Sequence, residues 1–343
     1  MKKMLILVAV VLLAAGAVFA QAADPNPNPN QAVLIDFTAL TGDTPVGTEG
    51  DPTFSNQNGA TIMDFSGSRF AGSATDEQRA AMRTSLAIEQ WEVMLTPSAR
   101  TVTTAVRSFT RDSTSASRGT VMGTRVHFPT GNFNATALIR PPFEIPAFEQ
   151  ADQAADGTVA AGPTRFEGGF GVVKNVAAIR SIAVNVHGLN FPHTLFVVLL
   201  DQDGNRRSIP MGNLQFDGWQ TLTWENPAYI QEVRNRDLRL RPIYPDSTPF
   251  VKFAGFEIHR DASNAGGDFI VYFQDVSMIY DQAVLDAERD IDNEAIWGII
   301  QQREAERTGN EMERLAQHQI LRLQERQKQA PRDLSFTTDQ TAQ

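Results

Sequence analysis

The sequence predicts a mainly β fold, a jelly-roll-like antiparallel β-sandwich with a C-terminal helical extension. Residues 181–187 alternate apolar and polar side chains, which is the two-residue period of a half-buried strand. Residues 195–200 are apolar throughout, so this strand must be covered on both faces. The turn-forming stretch 202–205 then predicts a hairpin into residues 207–211. Because helical periodicity is confined mainly to the ends of the chain, strands decide the fold class.

A second turn signal, Asp217-Gly218, precedes a strand at 219–224. Residues 181–224 therefore predict consecutive strands joined by tight turns in one antiparallel sheet. Trp219 and Trp224 point to opposite faces of their strand, because strand side chains alternate. Further strands are predicted at 33–37, 91–95, 121–128, 135–140, 250–258 and 268–280, the last with one bulge.

Two segments between these strands have weaker patterns. Residues 76–88 predict one short helix. Residues 101–120 are rich in Ser and Thr with little apolar period, which predicts either an exposed loop or a ragged edge hairpin.

The chain ends have their own composition. Residues 1–22 carry Lys2 and Lys3, a short apolar run and small residues, which predicts a secretory signal peptide. The alternative, a transmembrane anchor, conflicts with the shortness of that run. The predicted organisation is a signal peptide at 1–22, an Asn/Pro-rich spacer at 23–32, the sandwich at 33–285, a helical extension at 286–329 and a disordered tail at 330–343.

Composition limits the function. The 343 residues include no cysteine, which excludes disulfides and a lipid-modified cysteine. The net charge of -10 argues against nucleic acid and against an anionic membrane surface as partners. No second apolar span follows the predicted signal peptide, so no membrane insertion is expected after cleavage.

The sequence offers no case for an enzyme, a metal site or a bound cofactor. The five histidines lack the spacing that would place two ligands on one face. His187 and His193 flank one loop and are close enough in sequence to meet, but structural roles are favoured. Asp201 and Asp203 resemble the start of a calcium loop, yet Gly204 comes too early, so this stretch is a hairpin turn.

Several aromatic and basic residues are candidates for contact with a partner or a glycan. The aromatic side chains would offer a sugar-stacking platform, with core packing as the alternative for both tryptophans. The arginines between 101 and 120 would offer interface contacts, with a solvated surface as the alternative. The candidates are Trp219, Trp224, Tyr229, Arg107, Arg111 and Trp297, with Tyr244 and Arg118 beside them.

The extension starts with acidic and capping residues at 290–297 and becomes basic later, which suits the helix dipole. Thr308-Gly309-Asn310 predicts a break into two helices. Ile296 and Trp297 give the first helix enough apolar surface to dock, whereas the second has a sparse apolar stripe. We expect an assembly element that contributes little to the sandwich; the alternative is a helix packed on its own domain.

Eight short blocks resemble those of a known family, and together they are specific. They are Gly123-Thr-Arg-Val-His-Phe-Pro, Gly188-Leu-Asn-Phe, Ser208-Ile-Pro-Met-Gly, Phe216-Asp-Gly-Trp, Trp224-Glu-Asn-Pro, Gly266-Gly-Asp-Phe-Ile, Gln274-Asp-Val and Asp290-Ile-Asp-Asn-Glu-Ala-Ile-Trp. In this order they resemble the spirochaete periplasmic flagellar filament outer-layer (sheath) proteins. An insertion at 149–168 and the Asn-Pro repeat depart from the family pattern.

The resemblance implies an exported, non-enzymatic subunit located in the periplasm on the periplasmic flagellum. Its implied partners are flagellin core subunits, other filament sheath proteins and neighbouring copies of itself. Such a coat modulates the stiffness and helical shape of the filament, and hence motility. The stretch 268–280 also resembles the last strand of carbohydrate-binding jelly rolls, so the alternative is a periplasmic glycan-binding module. A coat subunit that binds glycans on flagellin would combine the two functions.

Overall fold

The computed structural model describes residues 30–40, 61–67, 82–147, 166–229, 248–283 and 291–337, with isolated positions between 44 and 79 and at 244. Side chains of the last helix are described as far as Glu325. The predicted signal peptide, most of the predicted spacer, and the insertion over residues 149–165 lie outside the described residues.

Strands dominate the described residues. They are β1 (Gln31–Asp36), β2 (Thr44–Pro45), β3 (Phe54–Ser55), β4 (Met63–Asp64), β5 (Arg83–Thr84), β6 (Glu92–Leu95), β7 (Phe109–Ser115), β8 (Gly119–Phe128), β9 (Ala135–Arg140), β10 (Val172–Lys174), β11 (Val176–Leu189), β12 (Thr194–Asp201), β13 (Arg206–Asn213), β14 (Asp217–Glu225), β15 (Phe250–Arg260) and β16 (Gly267–Gln282). The helices are α1 (Val102–Val106), α2 (Asn293–Trp297) and α3 (Ile299–Thr337), with 3-10 turns at Phe37–Ala39 and Ile88–Gln90.

Two antiparallel sheets of six strands form a sandwich. Sheet I has the order β14-β11-β16-β8-β7, and β1 pairs with the later part of β16. Sheet II has the order β13-β12-β15-β9-β6, and β10 pairs with the start of β15. The predicted β-sandwich and its C-terminal helix are confirmed.

The core lies between the sheets. Phe256 of β15 stacks on Phe273 of β16 with ring centroids 4.0 Å apart, which joins the two sheets directly. Ile182, Val184 and Val186 of β11 are fully buried on the same side of sheet I. Burying each such side chain stabilises the fold by about 1.5–3 kcal/mol. The alternation at 181–187 therefore predicts correctly which side chains of β11 face the core and which face outward.

The predicted hairpin at 202–205 joins β12 to β13. The Asp201 carboxylate accepts hydrogen bonds from the backbone amides of Asp203 at 3.0 Å and Asn205 at 2.8 Å. These bonds satisfy turn amides that no strand partner could reach. The expected bulge in the last strand is also present, because the β11–β16 register skips Gln274.

The prediction that residues 181–224 lie in one sheet is wrong. Strands β11 and β14 belong to sheet I, whereas β12 and β13 belong to sheet II. The chain returns to sheet I through Leu214, whose side chain is buried and whose amide donates to the His193 carbonyl at 2.9 Å. Asp217-Gly218 therefore lies inside β14 and does not form the turn. Burial of Leu214 fixes where the chain crosses between the sheets, and this outweighs the preference of Asp-Gly for a turn.

Two further local predictions need correction. The helix expected at 76–88 does not extend over its later residues, where Arg83–Thr84 form β5, which pairs with β4, and residues 85–87 have no regular structure. Residues 101–120 contain α1, which Thr101 and Thr104 cap reciprocally, and then the β7–β8 hairpin. The edge-hairpin alternative is confirmed, while α1 was missed because its capping box uses Thr where Glu or Gln is usual.

The helical extension breaks at Gly298, not at Thr308-Gly309-Asn310. Gly298 has φ +59°, the left-handed conformation that ends α2. Helix α3 then continues through Gly309 to Thr337, into the segment 330–343 that was expected to be a disordered tail. A single glycine costs a helix only about 1 kcal/mol, which packing of the helix can offset.

Helix α3 packs on the outer face of sheet II. Leu315 and Ala316 are 3% and 2% exposed and join the main core. Arg314 donates to Glu144 at 2.7 and 2.9 Å, and Lys252 of β15 pairs with Glu311. The helix therefore belongs to the fold, as the alternative interpretation expected, and the assignment of little contribution to the sandwich is corrected.

Candidate interaction surfaces

The described residues contain no group of three or more His, Cys, Asp or Glu side chains placed to hold a metal ion. His193 is buried and stacks on Phe269 at 4.9 Å, and burial lowers the pKa of His193. His187 lies instead on the outer face of sheet I between Trp219 and Tyr272.

No helix in the described part of the chain is long and apolar enough to cross a membrane.

One row of side chains crosses the whole outer face of sheet I. Strand register places Trp219 opposite His187, His187 opposite Tyr272, Tyr272 opposite Gly123 and Gly123 opposite Arg111. The first three rings touch edge to face, with centroids 5.3 and 5.7 Å apart. A Cβ at Gly123 would lie 3.1 Å from the Tyr272 ring, which is closer than ordinary van der Waals contact. The absence of a side chain at Gly123 therefore leaves room for this ring. We call these five residues the cross-sheet row.

Arg118 covers one end of the cross-sheet row. Its guanidinium lies 4.8 Å from the centre of the Trp219 ring, and it also donates to Gln274. Because β16 and β11 lie between β8 and β14, this contact reaches across sheet I from the β7–β8 turn. A cation over an indole ring contributes about 0.5–1 kcal/mol at an exposed site.

A polar row runs beside the aromatic one. Thr221 donates to the side-chain carbonyl of Asn185 at 2.5 Å, and the Asn185 amide donates to both oxygens of Asp275 at 2.9 and 3.0 Å. Burial raises the pKa of Asp275, and the nearby Asp36 charge adds to that shift. The face thus combines aromatic surface with fixed hydrogen-bonding groups.

The other candidates lie elsewhere. Trp224 faces inward and packs on the core. The Tyr229 hydroxyl donates to Asp281 at 3.1 Å, and its ring lies 5.0 Å from the Arg180 guanidinium. Arg107 is the C-cap residue of α1, ahead of β7. Of the predicted set, the structure places Trp219, Arg111 and Arg118 on one face, with Arg118 against Trp219 and Arg111 at the far end of the row. Strand register adds His187, Tyr272 and Gly123 between them.

Trp297 belongs to a separate surface. Ile296 and Trp297 of α2 are 62% and 68% exposed, and Ile291 just before the helix is 59% exposed. The Tyr244 hydroxyl donates to Glu294 of α2 at 2.9 Å. Tyr244 therefore contacts α2 and does not form a sugar-stacking platform with Trp219. Single exposed apolar residues are ordinary, but three within seven positions indicate a contact surface.

Comparison with known proteins decides the family. The model of the flagellar filament outer layer protein Flaa family matches residues 54–289. This chain belongs to that family. An outer layer protein from Treponema pallidum (strain Nichols) is 44% identical over 358 aligned residues, which cover 100% of this chain and 98% of the relative. One from Spirochaeta aurantia is 45% identical, covering 88% and 87%.

The outer layer family match contains both sheets apart from β1, includes the cross-sheet row, and ends before α2 begins. Among solved structures, TmCBM61 in complex with beta-1,4-galactotriose is similar at 10% identity and a TM-score of 0.26, covering 56% of this chain and 88% of that one. A family 11 carbohydrate-binding module of Clostridium thermocellum is similar at 11% identity and a TM-score of 0.24, covering 58% and 91%.

Proposed function

We propose that this chain is a non-enzymatic structural subunit of the outer layer that coats the flagellin core of periplasmic flagellar filaments. Its membership of the outer layer protein family over nearly its full length carries the proposal. The predicted signal peptide at 1–22 would deliver it to the periplasm. As a coat, it would modulate filament stiffness and shape, and hence motility.

We assign the filament contact to the outer face of sheet I. Helix α3 covers the outer face of sheet II, whereas the described residues place no helix over the cross-sheet row. Tyr, Trp and Arg are the side chains that contribute most at protein interfaces, since they combine large contact area with hydrogen bonding. Trp219, Tyr272 and Arg111 lie in one line on this face.

Fractionation of cells tests the function. The chain should pellet with purified periplasmic filaments, and its deletion should leave flagellin filaments assembled but altered in shape or in the swimming they support. Recovery of the chain only in the soluble fraction, while filaments pellet without it, would overturn the proposal.

Glycan binding is the second candidate, and the pairing of an aromatic row with a polar row favours it. Sugar rings stack on aromatic faces, while side chains such as Asn185 and Asp275 exchange hydrogen bonds with hydroxyls. Binding of flagellin glycopeptides, with none to the same peptides after enzymatic deglycosylation, would support it. Equal binding of both peptides would assign the face to protein contact alone.

A further inference from the structure

A cavity of about 310 Å³ lies where α3, at Arg322 and Glu325, meets the sandwich edge formed by β6, α1 and β7. This volume is at the lower end of ligand pockets, which measure roughly 300–1,000 Å³. Its charged lining consists of three arginines and two glutamates, and its apolar lining comes mainly from β6, α1 and β7. The charged residues are Arg100, Arg140, Arg322, Glu92 and Glu325.

Positive charge is under-compensated in this arginine cavity. Arg140 and Arg322 both donate to the same oxygen of Glu92, at 2.9 and 2.5 Å. The Nε of Arg322 is buried and has no hydrogen-bond partner among the described residues. Burial and the charge of Arg140 lower the pKa of Arg322 to about 9. Glu325 adds a second negative charge, so the lining carries three guanidinium groups against two carboxylates. A further carboxylate entering the cavity would meet this excess of positive charge.

The mouth of the cavity is apolar. Val106 and Phe109 line it and remain 38% and 37% exposed. Val102, one turn earlier on α1 and therefore on the same side of that helix, is 47% exposed. An occupant that suits this site presents carboxylates beside large apolar side chains.

The segment just before the start of α3 has that chemistry. Ile291, Ile296 and Trp297 are its exposed apolar side chains. Asp292 caps α2 through one of its two oxygens, so a carboxylate lies beside these side chains. Glu294 in the first turn adds negative charge, although its oxygens already accept from the amides of Ile300 and Gln301. This acidic and apolar segment complements the basic and apolar cavity in both respects.

The segment cannot reach the cavity of its own chain. Arg322 lies 24 positions after Gly298, and all of α3 between them is helical. At 1.5 Å per residue, the two surfaces are held about 36 Å apart. The contact is therefore possible only between two molecules.

We propose that α2 of one copy docks into the arginine cavity of the next copy, with Trp297 and Ile296 against Val106 and Phe109. Because the two surfaces differ, the contact is heterologous and can propagate head to tail along a filament. This inference rests on the proposed function in one respect: a filament would hold neighbouring copies close together and so give them a high effective concentration.

Disulfide trapping tests the contact, because the chain contains no cysteine and therefore gives no background. Two variants of the exported chain, Ile291→Cys and Val102→Cys, keep every other contact residue. Their equimolar mixture should form a disulfide heterodimer, and a chain with both changes should form a ladder of multimers. Ile291→Cys mixed with Leu189→Cys, at a β11 site 38% exposed, is the control.

Two further variants test the chemistry. Arg322→Gln should reduce trapping at least about tenfold, whereas Arg314→Gln on the same helix should not. Trp297→Ser removes the apolar side chain without adding a charge, at a site 68% exposed, and should cause the same loss from the other side of the contact.

Three outcomes would overturn the inference: trapping no greater than in the Leu189→Cys control, trapping insensitive to Trp297→Ser, or Ile291→Cys pairing preferentially with itself. A chain that pellets with filaments but fails these tests would retain the proposed function. A chain that passes them but stays in the soluble fraction would lose only the proposed function.

Discussion

Lys252 of β15 and Glu311 of α3 form an ion pair that is nearly excluded from solvent. The Lys252 side chain is 4% exposed and that of Glu311 is 13% exposed. Glu144, after β9, provides a second carboxylate at 3.3 Å from the Lys252 ammonium. A buried cation is tolerated only while its partners remain, so this pair makes the sandwich depend on α3.

Truncation after Thr308 should destabilise the sandwich by about 3 kcal/mol or more, because it exposes the site of Leu315 and removes Glu311 from Lys252. Urea unfolding followed by tryptophan fluorescence measures the change. Unchanged stability would show that α3 is only an appendage.

Lys252→Met in the full chain should cost about 3 kcal/mol, because it leaves Glu311 and Glu144 facing an apolar site. In the chain truncated after Thr308 the same change should be neutral or stabilising, since Lys252 then has lost its helix partner. Arg314→Gln is the control, and it should cost less than about 1 kcal/mol because the Arg314 side chain is 47% exposed. Equal costs for Lys252→Met in both backgrounds would contradict the coupling.

Asp275→Asn should stabilise the fold at pH 7. Burial raises the pKa of Asp275, so the folded state favours the protonated acid. The contribution of this group is fully present below its unfolded pKa and is lost as pH rises through its folded pKa. The difference between Asp275→Asn and the wild type in urea titrations should therefore shrink as pH falls towards 3.

Asp268→Asn is the matched control, and it should change the stability at pH 7 in the opposite direction. A hydrogen bond from Arg125 lowers the pKa of Asp268, so its contribution is present above the unfolded pKa and is lost as pH falls. This variant should be less stable than the wild type at pH 7 and equal to it at low pH. The same sign for both variants would refute these assignments.

Trp219→Ala should weaken co-sedimentation with filaments while reducing stability by only about 1 kcal/mol, the scale of its ring contacts. Trp224→Ala, five positions along the same strand, should do the reverse and cost about 3 kcal/mol, because that side chain packs on the core. Comparable losses of filament binding from both variants, at equal fractions folded, would show that the outer face of sheet I is not the contact.

The local pattern of the chain was enough to locate most strands. Alternation at 181–187 and the apolar run at 195–200 set the backbone period, and the Asp-Gly turn after Asp201 closed a hairpin within a few residues. Family membership was also readable from short blocks, because their order along the chain survives without any three-dimensional information.

Tertiary structure decided how those strands were shared between sheets, because pairing depends on which apolar faces can be buried together. It assembled the cross-sheet row from residues as distant as Arg111 and Tyr272, whose neighbours are fixed by register and by no motif. It also carried α3 through Gly309 and against Lys252, since burial of Leu315 outweighs a weak local break. Contacts distant in sequence leave no periodic signal, so only the folded chain could show them.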